Sequence, residues 1–441
     1  MSFLRNILNK ISTFATSEYR PLLENFFSLG LIQGANFLLS IITFPYIVRV
    51  IGVERFGIIT LLQTIMLYFV VLTDYGFNLS ATKDISVNRK NITRVSNIFS
   101  EVIATKFVLL LLSFLILSSS FLLFPSFKEY WLLTLFSFTI VLGQLLQPTW
   151  FYQGIEQMKY ITYINILNRA LYASGIFVFI SEPQDYLYIN LINGVSLVVG
   201  GVISLIIVFR KFGLQFSFPS LTRIRRQLVD AWSIFFATII ISVSNNTNIV
   251  ILGIFASPLI IGYYSIAEKV FQIMRTFAAI LYQVVYPRVC ILAQESFEAL
   301  ANFLHKLLKA IMLVFIPLSL IVFAFADHIV LFIAGKYISE AALVLRIICF
   351  GPFMAALNIP ASQTMLAYKL NNLYTVVLSI GAVINVALNF TLTYHFKAVG
   401  TASSIMITET ISTGLLYYAL HRKHPHYTFF LNKAPMKGAK L

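Results

Sequence analysis

Charge is the scarcest commodity in this sequence. Only 11% of its 441 residues are Asp, Glu, Lys or Arg, whereas 59% are hydrophobic, and the mean hydropathy is +0.84. A water-soluble domain of that composition would expose apolar patches far larger than soluble monomers carry, which excludes a soluble enzyme or binding module. Acidic residues are rarer still, 17 against 32 basic, for a formal charge of +15. Cysteine is limited to Cys290 and Cys349, each in or beside an apolar stretch. That excludes a disulfide scaffold and predicts two buried small apolar side chains. No phosphate-binding GxxxxGK[ST] loop, nucleophile elbow, metal motif or catalytic carboxylate pair occurs. The expectation is no catalytic residue, no metal and no cofactor. The alternating ten-residue pattern of a membrane β-barrel is missing. So is the short apolar core and small-residue cleavage site of a secretory leader, and residues 1–24 are expected to be an uncleaved polar lead-in.

What is present is a succession of long apolar runs. A helical span needs about 20 mostly apolar residues. Twelve candidates meet that: 25–47, 57–77, 99–124, 130–149, 160–180, 186–209, 230–255, 260–287, 305–326, 338–362, 372–393 and 399–420. The second is the clearest, entering from the turn between Gly52 and Gly57 and ending at Asp74-Tyr75-Gly76-Phe77-Asn78 before a basic loop. Pro45, Pro148, Pro317, Pro352 and Pro360 lie in or near spans, where proline kinks or ends helices.

The basic residues give the orientation. With the N-terminus inside, the inner loops hold clusters such as Lys83, Arg89, Lys90 and Arg94, or Arg223, Arg225 and Arg226. The outer ones hold only Arg49, Arg55, Lys128, Lys336 and Lys397. This is the asymmetry that sets membrane topology. It puts both termini in the cytoplasm and removes any need for nucleic acid as a partner. The basic stretch 210–229 separates two sets of six spans, 25–209 and 230–420, and 421–441 is a basic tail. A faint repeat relates Val53–Ile59 to Pro258–Tyr264 and Pro148 to Pro360. The expected fold is an all-α polytopic membrane protein of about twelve helices in two six-helix bundles. The bundles are related by a parallel pseudo-two-fold axis, with a site between them near the midplane, as in transporters.

Polar groups inside spans are costly and mark cavities or pairs. Gln33, Asn36, Ser40 and Thr43 form one helical stripe in the first span. In the fifth, Asn165, Asn168, Arg169 and Tyr172 share a face, with Arg169 about 13 Å from the inner edge. An arginine there either pairs with a carboxylate or receives an anion. In the seventh, Thr238, Ser242, Asn245 and Asn246 line up beside Asn248. The eighth holds Ser265, Glu268, Gln272 and Arg275 at helical spacing, with Lys269 adjoining. Lys106 lies close enough to the inner surface to snorkel, and Asp74 marks the inner end of the second span. Arg346 and Glu409 lie deeper and are expected to pair with one another. Cations outnumber carboxylates in the deep set, which favours an anionic cargo. The substrate-binding candidates are Arg169, Lys269, Arg275, Arg346, Asn36, Gln33, Asn245, Asn246 and Gln272. The candidates for ion coupling are Glu268, Glu409 and Asp74.

Four segments resemble the Wzx-type O-antigen flippases, the polysaccharide-transporter branch of the multidrug/oligosaccharidyl-lipid/polysaccharide exporter superfamily. They are PYIVRVIGVERFGIITLLQ from Pro45, YGFNLSATKDIS from Tyr75, QPTWFYQGIEQMKYITYINILNR from Gln147 and TNIVILGIFASPLIIGYYSIAEK from Thr247. The resemblance implies a multi-pass protein of the bacterial inner membrane, not an enzyme. It would flip an undecaprenyl-pyrophosphate-linked repeat unit to the periplasmic leaflet by alternating access, coupled to an ion or the membrane potential. On that reading the partners are the lipid-linked oligosaccharide, membrane lipid, and the O-antigen polymerase and chain-length regulator. Arg169 closes the third segment and is the motif-linked cation for the pyrophosphate, with Lys269 and Arg275 beside it in role. Exporters of capsular, teichuronic or peptidoglycan-precursor units, and multidrug exporters of the same superfamily, are the rival readings.

Overall fold

In a bilayer every backbone N–H and C=O needs an internal partner, and apolar runs of this length meet that need only as helices. A computed structural model describes residues 41–123 and 128–423. In chain order its helices are α1 (Ile41–Ile51), α2 (Val53–Asp74), α3 (Phe77–Asn88), α4 (Ile92–Leu123), α5 (Trp131–Leu145), α6 (Thr149–Gly154), α7 (Met158–Phe179) and α8 (Tyr186–Lys211). There follow α9 (Leu221–Phe255), α10 (Pro258–Glu295), α11 (Phe297–Ala324), α12 (Ala326–Ala334), α13 (Ser339–Ile348), α14 (Gly351–Ala367) and α15 (Asn371–Lys423). Among the described residues, eight helical stretches are long and apolar enough to cross a membrane. Of the first expected span, only residues 41–47 are described.

Breaks fall where the sequence supplies them. Tyr75 and Gly76 both take left-handed backbone angles, φ 50° and 79°, and end α2 directly after Asp74. Pro148 separates α5 from α6, and Pro352 opens α14 just after α13 ends. Pro317 and Pro360 lie inside continuous helices instead. The 53 residues of α15 hold one non-helical residue, Lys397 at φ 50°, which divides it into two limbs. The limbs are joined by hydrogen bonds between Thr393 and Thr401 (2.8 Å) and from Asn385 to Thr408 (3.4 Å). The expected spans 372–393 and 399–420 fall on those limbs.

The described residues form two compact units, one of 41–265 with 333–335, the other of 266–332 and 336–423. In the first, α5 and α8 approach closely because Gly143 and Gly194 sit at the crossing: a Cβ on Gly194 would collide with Thr139. A second close approach is reciprocal. A Cβ on Gly57 would run into the Pro258 carbonyl, and one on Gly262 into the Val53 carbonyl. At its basic end this unit is packed with aromatic rings, Phe99 against Trp150 (5.4 Å) and Phe151 (5.7 Å), and Tyr152 against Tyr160 (5.4 Å). The connection before α9 is strapped to α4. Gln215 N–H donates to Ser96 and Ser217 N–H to Ser100, while buried Glu101 accepts from Gln227 (2.9 Å) and Arg223 (3.4 Å). The second unit has an aliphatic core from α10, α11, α14 and α15, including Val289, Leu304, Ile311 and Leu416.

Candidate functional site

The left-handed break after α2 leaves Asp74 facing its own unit's interior, where two other helices supply partners. Lys106 on α4 donates to Asp74 Oδ1 at 2.9 Å, and Asn78 at the start of α3 donates to Oδ2 at 2.8 Å. Thr149, the first residue of α6, donates to Asn78 Oδ1 at 2.9 Å. The chain Lys106–Asp74–Asn78–Thr149 thus ties together α4, α2, α3 and α6. The two charged side chains are 3% and 16% exposed. Lys106 therefore does not snorkel: the approach of Asp74 gives its ammonium an internal partner at 2.9 Å. These residues border a cavity of about 200 Å³ that Gln144, Gln147, Thr73 and Thr238 also line.

The second unit holds a looser cluster. On α10 the spacing of Glu268, Gln272 and Arg275 puts them on one face, as the periodicity predicts. Arg275 reaches Glu409 on α15 at 3.8 Å and lies over the Phe271 ring at 5.9 Å. Asn358 on α14 donates to the other oxygen of Glu409 at 3.5 Å. The expected pairing of Arg346 with Glu409 does not form. Arg346 bonds Asp327, at the start of α12, at 2.5 Å, and Glu409 turns to Arg275. The reason is chain geometry: α12 and α13 are joined by a short turn, so Asp327 is the nearer carboxylate. Sequence reasoning missed Asp327 because it falls in the link after α11; an acid facing a span arginine across one short turn was the available signal.

The remaining candidates are dispersed. On α7, Arg169 is exposed whereas its neighbour Asn168 is buried against Gly200, with neither amide atom hydrogen-bonded. Lys269 is exposed on α10 and Glu268 half-buried. On α9, Asn246 donates back to the Ser242 carbonyl at 3.1 Å, so part of that stripe is satisfied within its own helix. Gln33 and Asn36 lie outside the described residues, as does the side chain of Asn245. One buried network escaped sequence reasoning: Asn190 on α8 accepts from Gln63 (2.7 Å) and donates to Ser137 (2.7 Å), joining α8, α2 and α5. Its signal was Gln63 in one apolar run and an asparagine pair, Asn190 and Asn193, in another, polar groups that commonly hold membrane helices together.

Known proteins agree with this architecture. Residues 22–293 match the family described as polysaccharide biosynthesis protein. Over 394 residues the chain is 31% identical to a protein of Escherichia coli (strain K12) named "Putative O-antigen transporter", covering 89% of this chain and 95% of the relative. The fold resembles a lipid II flippase, MurJ, in an inward closed conformation, with TM-score 0.66 at 14% identity, over 88% of this chain and 87% of that one. It also resembles an inward-facing multidrug resistance MATE family transporter of the MOP superfamily, with TM-score 0.70 at 13% identity, over 87% and 94%. At those identities the two likenesses establish the fold alone. By the family match and the full-length relative, this multi-pass membrane protein belongs to the polysaccharide biosynthesis protein family in its Wzx-type branch, a branch of transporters rather than enzymes.

Proposed function

We propose that this protein flips an undecaprenyl-pyrophosphate-linked O-antigen repeat unit from the cytoplasmic to the periplasmic leaflet of a bacterial inner membrane. The observation that carries this reading is the relationship with the E. coli relative along nearly the whole of both chains. The half-exposed Arg275–Glu409 pair supports it, because charges within spans cost about 2.5–3.5 kcal/mol each in hydrocarbon and these two are not locked into a tight buried pair. In this reading twelve spans form two six-helix bundles that alternate access to a shared lumen, with both termini cytoplasmic. Arg169, Lys269, Arg275 and Arg346 face the pyrophosphate during the cycle, the last two after leaving Glu409 and Asp327. Arginine suits that task because its planar fork matches phosphate oxygens. Amides such as Gln272 and Asn246 serve the sugars, and Glu268 and Glu409 are the groups through which an ion gradient acts. The O-antigen polymerase and the chain-length regulator receive the product.

The test is a strain deleted for this gene with the rest of its O-unit pathway intact. Wild type restores the lipopolysaccharide ladder, and Arg169→Ala at equal expression does not. A ladder that persists in the deletion strain, with altered drug sensitivity instead, transfers the protein to the multidrug-exporter reading.

A further inference from the structure

The cavity beside Asp74 and Lys106 has a composition that restricts what can occupy it. Lys106 and Asp74 neutralise each other at 2.9 Å, so its net charge is zero. An anion would meet Asp74 and a cation would meet Lys106. No group of three metal-ligating side chains exists among the described residues. Such a lining favours a neutral occupant over one with a net charge.

The rim is rich in groups that both give and take hydrogen bonds. Gln144, exposed on α5, presents an amide. Thr149 and Thr238 present hydroxyls whose protons go to Asn78 and to the Ile234 carbonyl, leaving oxygen lone pairs available. The Lys106 ammonium has three N–H donors, and Asp74 takes one. Val70 and Val71 add aliphatic groups to the same lining. Hydroxyl, amide and charged groups interspersed with aliphatic ones match a pyranose ring, with its hydroxyls at the edge and its C–H groups on the faces. The volume, about 200 Å³, is that of about seven waters at ~30 Å³ each, which suits one ring and not an oligosaccharide.

We infer that this cavity is a subsite for a single neutral sugar ring, held by Gln144, Thr149 and the Asp74–Lys106 pair. The inference rests on the proposed flippase function, since the ring would be one residue of the cargo glycan. It assigns glycan recognition to a polar cavity apart from the cationic groups proposed for the pyrophosphate.

Binding is measured directly on the purified full-length protein in nanodiscs, by saturation-transfer NMR titration with D-glucose, D-galactose and N-acetyl-D-glucosamine. At least one of the three should bind with a Kd of about millimolar, corresponding to a few hydrogen bonds at a small site. Gln144→Leu and Thr149→Val should each raise that Kd roughly five- to tenfold, the loss of one hydrogen bond. Thr375→Val, in the other unit, should leave it unchanged. Absence of binding by all three sugars overturns the inference, and so does a Kd that neither variant alters. The two readings fail separately. A ladder restored by wild type without sugar binding keeps the flippase and removes the subsite, whereas an unaltered ladder in the deletion strain removes the flippase whatever the sugars do.

Discussion

The Asp74–Lys106 and Arg275–Glu409 pairs contain the same chemistry in opposite settings. The first is short, 2.9 Å, with side chains 3% and 16% exposed and its carboxylate braced by Asn78. The second is 3.8 Å long, with Arg275 41% exposed and only a 3.5 Å contact from Asn358 behind it. A tight buried pair is costly to break because either partner left alone is an uncompensated charge. A long, half-exposed pair exchanges its partner for water at little cost. The difference separates an ion pair that shapes a cavity from one able to open for cargo, and substitutions that remove one partner at a time test it.

The largest effect is expected from Lys106→Met, which strands Asp74 inside its unit. It should cost about 3–5 kcal/mol and appear as a steep loss of folded protein in detergent thermal-denaturation measurements. The double variant Asp74→Leu with Lys106→Met should recover most of that loss, because removing both charges leaves none unpaired. If the single and double variants are equally unstable, the pair is not what holds these helices. Asp327→Ala is expected to fall between, costing about 1–3 kcal/mol by leaving the half-buried Arg346 without its 2.5 Å acceptor. Arg275→Gln should change stability least, by less than about 1 kcal/mol, while reducing the lipopolysaccharide ladder. A drop in its melting temperature as large as that of Lys106→Met would erase the contrast between the two pairs.

Much of the architecture was written in local patterns. Apolar runs became helices because lipid leaves no alternative, and the Asp74-Tyr75-Gly76 stop fell where Gly76 accepts a left-handed angle. The Glu268–Gln272–Arg275 face was legible because one continuous helix carries all three. Pairing between helices was not. Lys106 looked free to snorkel because nothing local announces that α4 will bring it to Asp74. Arg346 was matched with Glu409 by depth alone, although a short turn gave it Asp327. Depth and face follow from periodicity, but the choice of partner is made by tertiary packing. The cavity lay further out of reach, since its walls come from α2, α3, α4, α5, α6 and α9.

The reciprocal crossing of Gly57 with Pro258 and of Gly262 with Val53 also has an evolutionary reading. Each contact is the image of the other, with each glycine four positions after the carbonyl of its own segment. Such symmetry binds the two segments to a common fate. A methyl group gained at either glycine would meet a carbonyl oxygen that no rotamer change can move, so relief would have to come through the backbone of the opposite segment. In lineages where position 57 has left glycine, compensating change is therefore to be sought around position 258, and where 262 has left it, around position 53.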